Sequence, residues 1–297
     1  MKGIIKAPAK INLCLKVNGK RDDGYHDLTM IMQQVSLFDT IEFEIINDND
    51  FNSNKQINIK CNYNYLPTDN KNLVYNVVDY IFKKYNINDK IYINLNKMIP
   101  ISGGLGGGSS DAASMLLYLN KYYKLNLNIS ELSNIALEFG SDIPFFLHKK
   151  ICLCKGRGDI IKELNSFNNY YILLATPNIR VSTKEIYNKF DNFALNDEKE
   201  IEESKKVNEL LEAISNRDLI RMSDNLFNHL EIVTELMFDQ VSILKNQIMR
   251  LGAIKSLMSG SGPTVFGIFN SYFKANNCKM VLKHKFKDSF IFVAKPI

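Results

Sequence analysis

Residues 100–114 read PISGGLGGGSSDAAS, with five glycines among the six positions 103–108, then two serines and an aspartate opening an apolar-periodic stretch. Glycine there permits positive φ and carries no Cβ, so consecutive backbone N–H groups can turn toward a single anion. A following helix adds its positive end at the same spot. The segment joins a strand pattern (Ile91, Ile93 and Leu95 alternating with Tyr92, Asn94 and Asn96) to a helix pattern through Ala112, Ala113, Leu116, Leu117, Leu119 and Tyr123. A flexible glycine linker is the competing reading, but linkers are polar on both sides. The expectation is therefore a phosphate cradle formed by Pro100, Ile101, Ser102, Gly103, Gly104, Leu105, Gly106, Gly107, Gly108, Ser109 and Ser110. It matches neither common phosphate loop. A Walker loop needs Lys after its last glycine, where Ser109 stands, and a dinucleotide fingerprint needs a third glycine at that same position.

With 297 residues, 45% of them hydrophobic, the chain is long enough for two cored domains. No apolar run approaches the roughly 18 residues of a membrane span. The amino terminus enters a strand pattern by Ile11 with no signal or transit segment, so a soluble, cytoplasmic protein is expected. Cys14, Cys61, Cys152, Cys154 and Cys278 are odd in number, scattered and without a CxxC pair, which argues for buried free thiols over disulfides or zinc. A net charge of +5, evenly spread, argues against nucleic acid as the main partner. Only Lys6, Lys10, Lys16, Lys20 and Arg21 cluster, and solvated surface accounts for them as well as a site does.

Short strands alternate with helices as far as about residue 160, the pattern of α/β layers. Strands are expected at 4–17, 36–46, 56–61 and 91–96. Asn72 can cap a helix whose inward face is Leu73, Val77, Tyr80, Ile81 and the stem of Lys84, and Ser130 another that ends at Gly140 in a left-handed cap. A second unit begins near Tyr170 with the strand YYILLA, a helix capped at Ser182 and a charged stretch, Asp191–Lys206, expected to be an exposed connection. Helical periodicity over 207–250 then closes at Gly252, before strands at 255–259, 265–269 and 290–294. This gives an α+β chain with domains at 1–165 and 166–297.

Four segments carry chemistry. In KAPAKINLCLKV, Lys10 and Asn12 share one face of a strand, although a solvent-facing strand reads the same way. In KRDDGYHDL, a turn at Asp23–Gly24 presents Tyr25 and His26, a pair able to hold a planar ring by stacking and hydrogen bonding. Asp142, two residues before Pro144 among Ile143, Phe145 and Phe146, is expected in a restricted, extended loop, where it can serve as a general base with a lysine such as Lys10 beside it. A turn-stabilising aspartate is the alternative. SGSGPTVF at 259–266 makes a second glycine turn, either a plain hairpin or a phosphate contact from the other domain that closes over a cleft.

Taken in order, APAKINL, DGYH, PISGGLGGGSSDAA, GSDIPFF, GRGD and SGSGPTVF resemble the GHMP kinases over nearly the whole chain. The resemblance implies a ribosomal protein S5 domain-2-like amino-terminal domain and a ferredoxin-like carboxy-terminal domain. It implies ATP as co-substrate with Mg²⁺, Lys10 and Asp142 as the catalytic pair, and Pro100 to Ser110 as the ATP phosphate loop. The glycine loop is shared with homoserine, mevalonate and galactose kinases, whereas DGYH after APAKINL points to the branch acting on a cytidylated alcohol. For that branch the resemblance implies Asn12, Tyr25 and His26 at the cytidine diphosphate end, and Tyr187, after PNIRVSTKEI, as the aromatic that stacks on cytosine. Metal ligands are not assigned, and a monomer and a homodimer fit equally. Another small-molecule kinase of the family, or a non-catalytic nucleotide- or RNA-binding module, stays as an alternative.

Overall fold

The computed structural model describes residues 1–47, 56–148, 150–165, 167–193 and 197–297. They form two units, each assembled from separate stretches of chain: Met1–Ala9, Leu37–Ile101 and Gly106–His148 in one, Lys10–Ser36, Ser102–Leu105 and Lys149–Ile297 in the other.

The first unit holds the start of β1 (Lys2–Lys20), the end of β2 (His26–Ile46), β3 (Ile57–Cys61), α1 (Leu73–Lys84), β4 (Lys90–Asn96), α2 (Gly107–Tyr122), α3 (Ile129–Phe139) and α4 (Ile143–Leu147). Alternation sets its sheet. Ile41, Phe43 and Ile45 of β2 and Ile91, Ile93 and Leu95 of β4 are buried, and the two strands pair antiparallel from Thr40↔Asn96 to Ile46↔Lys90, with β3 parallel on the far side of β4. Asn72 caps α1 as expected by accepting from the Val74 N–H. The buried face of α1 is Val74, Val77, Val78, Ile81 and Phe82, while Leu73 and Tyr80 are half-buried and Lys84 is exposed. The buried positions repeat at i, i+3, i+4, i+7 and i+8, so the inward stripe follows the helix's own period and is offset from the expected face.

Three expectations for the next segment need correction. α3 is capped by Asn128, in a reciprocal capping box with Glu131, and Ser130 lies inside the helix. Gly140 does follow α3, but at φ 173 it is extended, not left-handed. Asp142 has helical backbone angles (φ −84, ψ −13) and opens α4, so the segment is not extended. Pro144 falls in the first turn of α4, where its missing N–H leaves no hydrogen bond unmade.

The second unit adds β5 (Cys152–Gly156), β6 (Ile160–Glu163), β7 (Tyr171–Thr176), α5 (Thr183–Phe190), α6 (Asp197–Ser215), α7 (Leu219–Asp224), β8 (Phe227–Asn228), α8 (His229–Met237), α9 (Asp239–Arg250), β9 (Lys255–Met258), β10 (Val265–Phe269), α10 (Tyr272–Lys285) and β11 (Phe290–Ala294). β5 pairs antiparallel with the start of β2, Leu28↔Gly156 through Met32↔Cys152, and β8 pairs parallel with β1 at Cys14↔Phe227. A separate antiparallel sheet runs β11-β7-β10-β9, with α9 and α10 packed on it. The stretch Asp191–Lys206, expected as an exposed connection, is exposed at most described positions but helical from Asp197, with Glu203 buried; residues 194–196 lie outside the described residues. A carboxylate is tolerated there because Glu203 Oε2 lies 2.7 Å from Nε2 of buried His229. Cys14, Cys152, Cys154 and Cys278 are buried and Cys61 is half-buried, all as free thiols. No helix among the described residues is long and apolar enough to cross a membrane.

Candidate active site

The glycine loop is divided between the units. Its second half opens α2 from Gly106, a left-handed cap residue (φ 69, ψ 20) with no side-chain cap bond, and no acidic side chain enters the first turn. The leading N–H groups of α2 therefore keep their positive end for an anion. Space is tight at Gly107, where a Cβ would lie 3.1 Å from Ile99 and 3.2 Å from the Asp39 carboxylate, so either neighbour would have to give way by a few tenths of an ångström. In the first half, a Cβ on Gly104 would fall 2.2 Å from the Ser259 carbonyl oxygen. Ser102 also takes positive φ (54), a conformation that suits glycine better than serine.

That first half gathers a cluster within the second unit. Lys10 and Asn12 are buried at 4% and 0% exposure, so β1 does not offer them to solvent. Lys10 Nζ donates to Asn12 Oδ1 at 2.6 Å, the Lys10 N–H donates to the Leu105 carbonyl at 2.9 Å, and the Asn12 N–H donates to Ser259 Oγ at 3.2 Å. Ser259 Oγ in turn donates to the Gly104 carbonyl at 3.0 Å, and the Thr264 N–H to Gly103 at 3.3 Å. The SGSGPT turn is the expected hairpin, with β9 and β10 paired antiparallel across it from Val265↔Met258, and it is also hydrogen-bonded to the first glycine loop of the same unit. Gly260 takes φ 60, a conformation that L side chains rarely adopt, and a Cβ there would stand 3.3 Å from the Gly104 carbonyl oxygen and in ordinary contact with Lys10 Nζ and Asn12 Oδ1. Asn228, which sequence reasoning missed, holds this turn by donating to the carbonyls of Met258 and Gly260 at 2.8 Å each. One polar atom of the cluster is buried without a partner, the amide nitrogen of Asn12. A buried donor left unmade costs about 1–3 kcal/mol, so this one is suited to an acceptor supplied by a ligand.

A second group in the same unit is aromatic. Asp23 and Gly24 make the expected turn, with Gly24 at φ 81 and the Gly24 N–H donating to the Arg21 carbonyl. Tyr25 is half exposed at 51%, but His26 is buried at 9% and not presented to solvent. Its ring stacks on Tyr187 of α5, centroids 4.7 Å apart and planes at 29°, so two residues distant in sequence meet. Two further partners were not expected. Arg157 of GRGD lies over the Tyr25 ring, 3.6 Å from its centroid, and Asp191 Oδ1 lies 2.5 Å from His26 Nε2. The glycines of GRGD were the only sequence signal for Arg157. Gly156 and Gly158 take φ 68 and 105, and the Arg157 N–H donates to Asp159 at 2.7 Å.

In the first unit a buried charge cluster supports the loop. Lys97 Nζ contacts both Asp39 Oδ2 and Asp111 Oδ2, and Asp39 Oδ1 also accepts from the N–H groups of Met98 and Ile99 at 2.6 and 2.8 Å. The cluster ties β2, the end of β4 and the first turns of α2 on either side of the loop. Burial pushes the Asp111 carboxyl up to about 7 against the pull of Lys97. Asp142 belongs to this unit, at the start of α4 and flanked by buried Ile143, Phe145 and Phe146. Among the described residues no group of three or more His, Cys, Asp or Glu side chains is placed to hold a metal ion.

Comparison with known proteins adds the family. The model of the GHMP kinases N terminal domain matches residues 72–150, and that of the GHMP kinases C terminal matches residues 210–288. A relative from Clostridium botulinum (strain Alaska E43 / Type E3), called 4-diphosphocytidyl-2-C-methyl-D-erythritol kinase, is 42% identical over 97% of this chain and 98% of its own. One of the same name from Clostridium perfringens (strain ATCC 13124) is 38% identical over 99% and 98%. A crystal structure of 4-(cytidine 5'-diphospho)-2C-methyl-D-erythritol kinase superposes with a TM-score of 0.77 at 27% identity, covering 99% of both chains. Homoserine kinase from Cytophaga hutchinsonii superposes at 0.80 with 18% identity over 99% of this chain and 94% of that one, a likeness of fold alone.

Proposed function

This chain is a GHMP kinase, and from that premise we propose that it transfers the γ-phosphoryl group of ATP to the 2-hydroxyl of 4-(cytidine 5'-diphospho)-2-C-methyl-D-erythritol, a step of non-mevalonate isoprenoid synthesis. The observation that carries the choice within the family is the aromatic group of the second unit, where Tyr25, His26 and Tyr187 provide ring faces and an imidazole for a planar base.

The chemistry follows from residue types. Asp142 accepts the hydroxyl proton, the freed alkoxide oxygen attacks the γ-phosphorus, and ADP leaves with the electrons of the broken P–O bond. Lys10 donates to oxygens that gain charge during transfer, the amide nitrogen of Asn12 donates to the cytidine diphosphate end of the substrate, and the N–H groups of residues 100–110 hold the nucleotide's phosphates. Mg²⁺ bound with the nucleotide would neutralise phosphate charge; among the described residues no group of three or more His, Cys, Asp or Glu is placed to hold it. We place residues 1–165 in an ATP-binding domain and 166–297 in a second domain, in a cytoplasmic enzyme acting as a monomer or homodimer.

Purified protein given ATP with the cytidylated methylerythritol, mevalonate or homoserine in parallel assays tests the reading. Turnover of the cytidylated alcohol alone is expected. Preference for either of the others overturns it.

A further inference from the structure

His26 is held from two sides by α5. Tyr187 and Asp191 are four residues apart, one helical turn, so they project from the same side of α5 and its end. Tyr187 covers the face of the imidazole, and Asp191 Oδ1 meets its Nε2 at 2.5 Å. The second oxygen of Asp191 accepts from Lys20 Nζ at 2.6 Å. Burial opposes ionisation of Asp191, but Lys20 and His26 outweigh it and hold the carboxyl below its usual range. The helix itself is anchored, since Ser182 Oγ accepts from the Glu185 N–H at 3.4 Å and Thr183 Oγ1 lies 2.8 Å from Ser261 Oγ in the second glycine turn.

A carboxylate can only accept hydrogen bonds, so the ring nitrogen facing it must carry the proton. In the neutral ring the lone pair then falls on Nδ1. We infer that Asp191 is a positioning residue that fixes His26 in its Nε2–H form, leaving Nδ1 as an acceptor that fits an exocyclic amine and not a carbonyl oxygen. Applied to the reading above, on which this step rests, it makes Asp191 a determinant of cytosine over uracil: the two bases differ at C4, where cytosine carries NH₂ and uracil C=O. Lys20 keeps the carboxylate charged and turned toward the ring. The i, i+4 spacing couples recognition of the base's face by Tyr187 to recognition of its edge through His26.

Two measurements test this. Nitrogen-15 NMR of histidine-labelled wild-type protein, which holds four histidines, reads the tautomer directly. His26 is expected in the Nε2–H form, and to lose that preference in D191N, whose amide can turn to donate as well as accept. Second, kcat/KM is measured for the cytidine substrate and its uridine counterpart in wild type, D191N and D191A. The cytidine preference is expected to fall by about tenfold or more in both variants through KM, with kcat and the KM for ATP near wild type. An Nδ1–H ring in the wild type, or an unchanged base preference in both variants, overturns the inference. A wild-type protein that phosphorylates neither substrate overturns the functional reading instead, and the tautomer spectrum still decides whether Asp191 orients the ring.

Discussion

Two lysines, Lys97 in the first unit and Lys10 in the second, are buried almost equally, at 5% and 4% exposure, yet their surroundings serve opposite ends. Lys97 is gripped by two carboxylates that tie strand ends to α2. The polar atom that cluster leaves unpartnered is an acceptor, Asp111 Oδ1, on a carboxyl pushed up to about 7, so what it takes up is a proton. Lys10 Nζ donates to Asn12 Oδ1, and the atom of that pair left unpartnered is a donor, Asn12 Nδ2. A donor so placed suits an oxygen of a ligand, which is the role proposed above. Equal burial therefore does not mean equal surroundings: the unmade hydrogen bond is an acceptor's in one cluster and a donor's in the other.

The sharpest test of that contrast places the same substitution at both lysines. Lys10→Met should lower kcat by at least about 10³-fold, as should Asp142→Asn, which ought still to bind ATP in titration calorimetry. If either retains near-normal turnover, its catalytic assignment is wrong. Lys97→Met leaves Asp39 and Asp111 buried without their cation and should cost about 3–5 kcal/mol, read as a lowered urea midpoint. Should Lys97→Met be as stable as wild type, the structural half of the comparison fails.

A smaller effect concerns pH. Asp111 has a folded-state pKa above its unfolded value, so between about pH 4 and 7 the folded chain binds the extra proton and its stability falls as pH rises through that window. Asp111→Asn removes this term. Denaturant titrations should show the variant gaining on wild type as pH is raised from 4.5 to about 7.5; a gap that stays constant would mean Asp111 does not titrate there. The smallest expected change is for Arg157→Ala, which takes the guanidinium off Tyr25. A cation–π contact at a partly exposed site contributes about 0.5–1 kcal/mol, so KM for the cytidylated substrate should rise about two- to fivefold with KM for ATP unchanged. No change, or an equal rise for ATP, removes Arg157 from the base end of the site.

The elements legible in advance were those with a local cause. The strand over 91–96, the Asn72 and Ser182 caps and the final β–α–β order follow from alternation and capping chemistry carried by neighbouring residues. Misreadings arose where several residues satisfied one local rule. Asn128 and Ser130 are both good caps, and Asn128 wins because Glu131 stands three residues on to complete the box. In the charged stretch before Lys206, exposed as expected at most described positions, the burial of Glu203 was not legible because its partner, His229, lies on a different helix. At the site, the glycines, Lys10, Asn12 and His26 carried their own signal. Asp191 and Asn228 did not, being ordinary polar residues whose partners are distant in the chain.

By itself the sequence determined the family, and it supplied the glycine loop and the residue types proposed for the transfer, because backbone freedom and side-chain chemistry are properties of single residues and short spacings. Tertiary structure alone decided which polar groups satisfy one another: that SGSGPT is bonded to the first glycine loop, that Lys97 has two carboxylates, and that Asp191 meets His26. Hydrogen bonds and burial are relations between residues brought together by folding, and no window along the chain contains both partners.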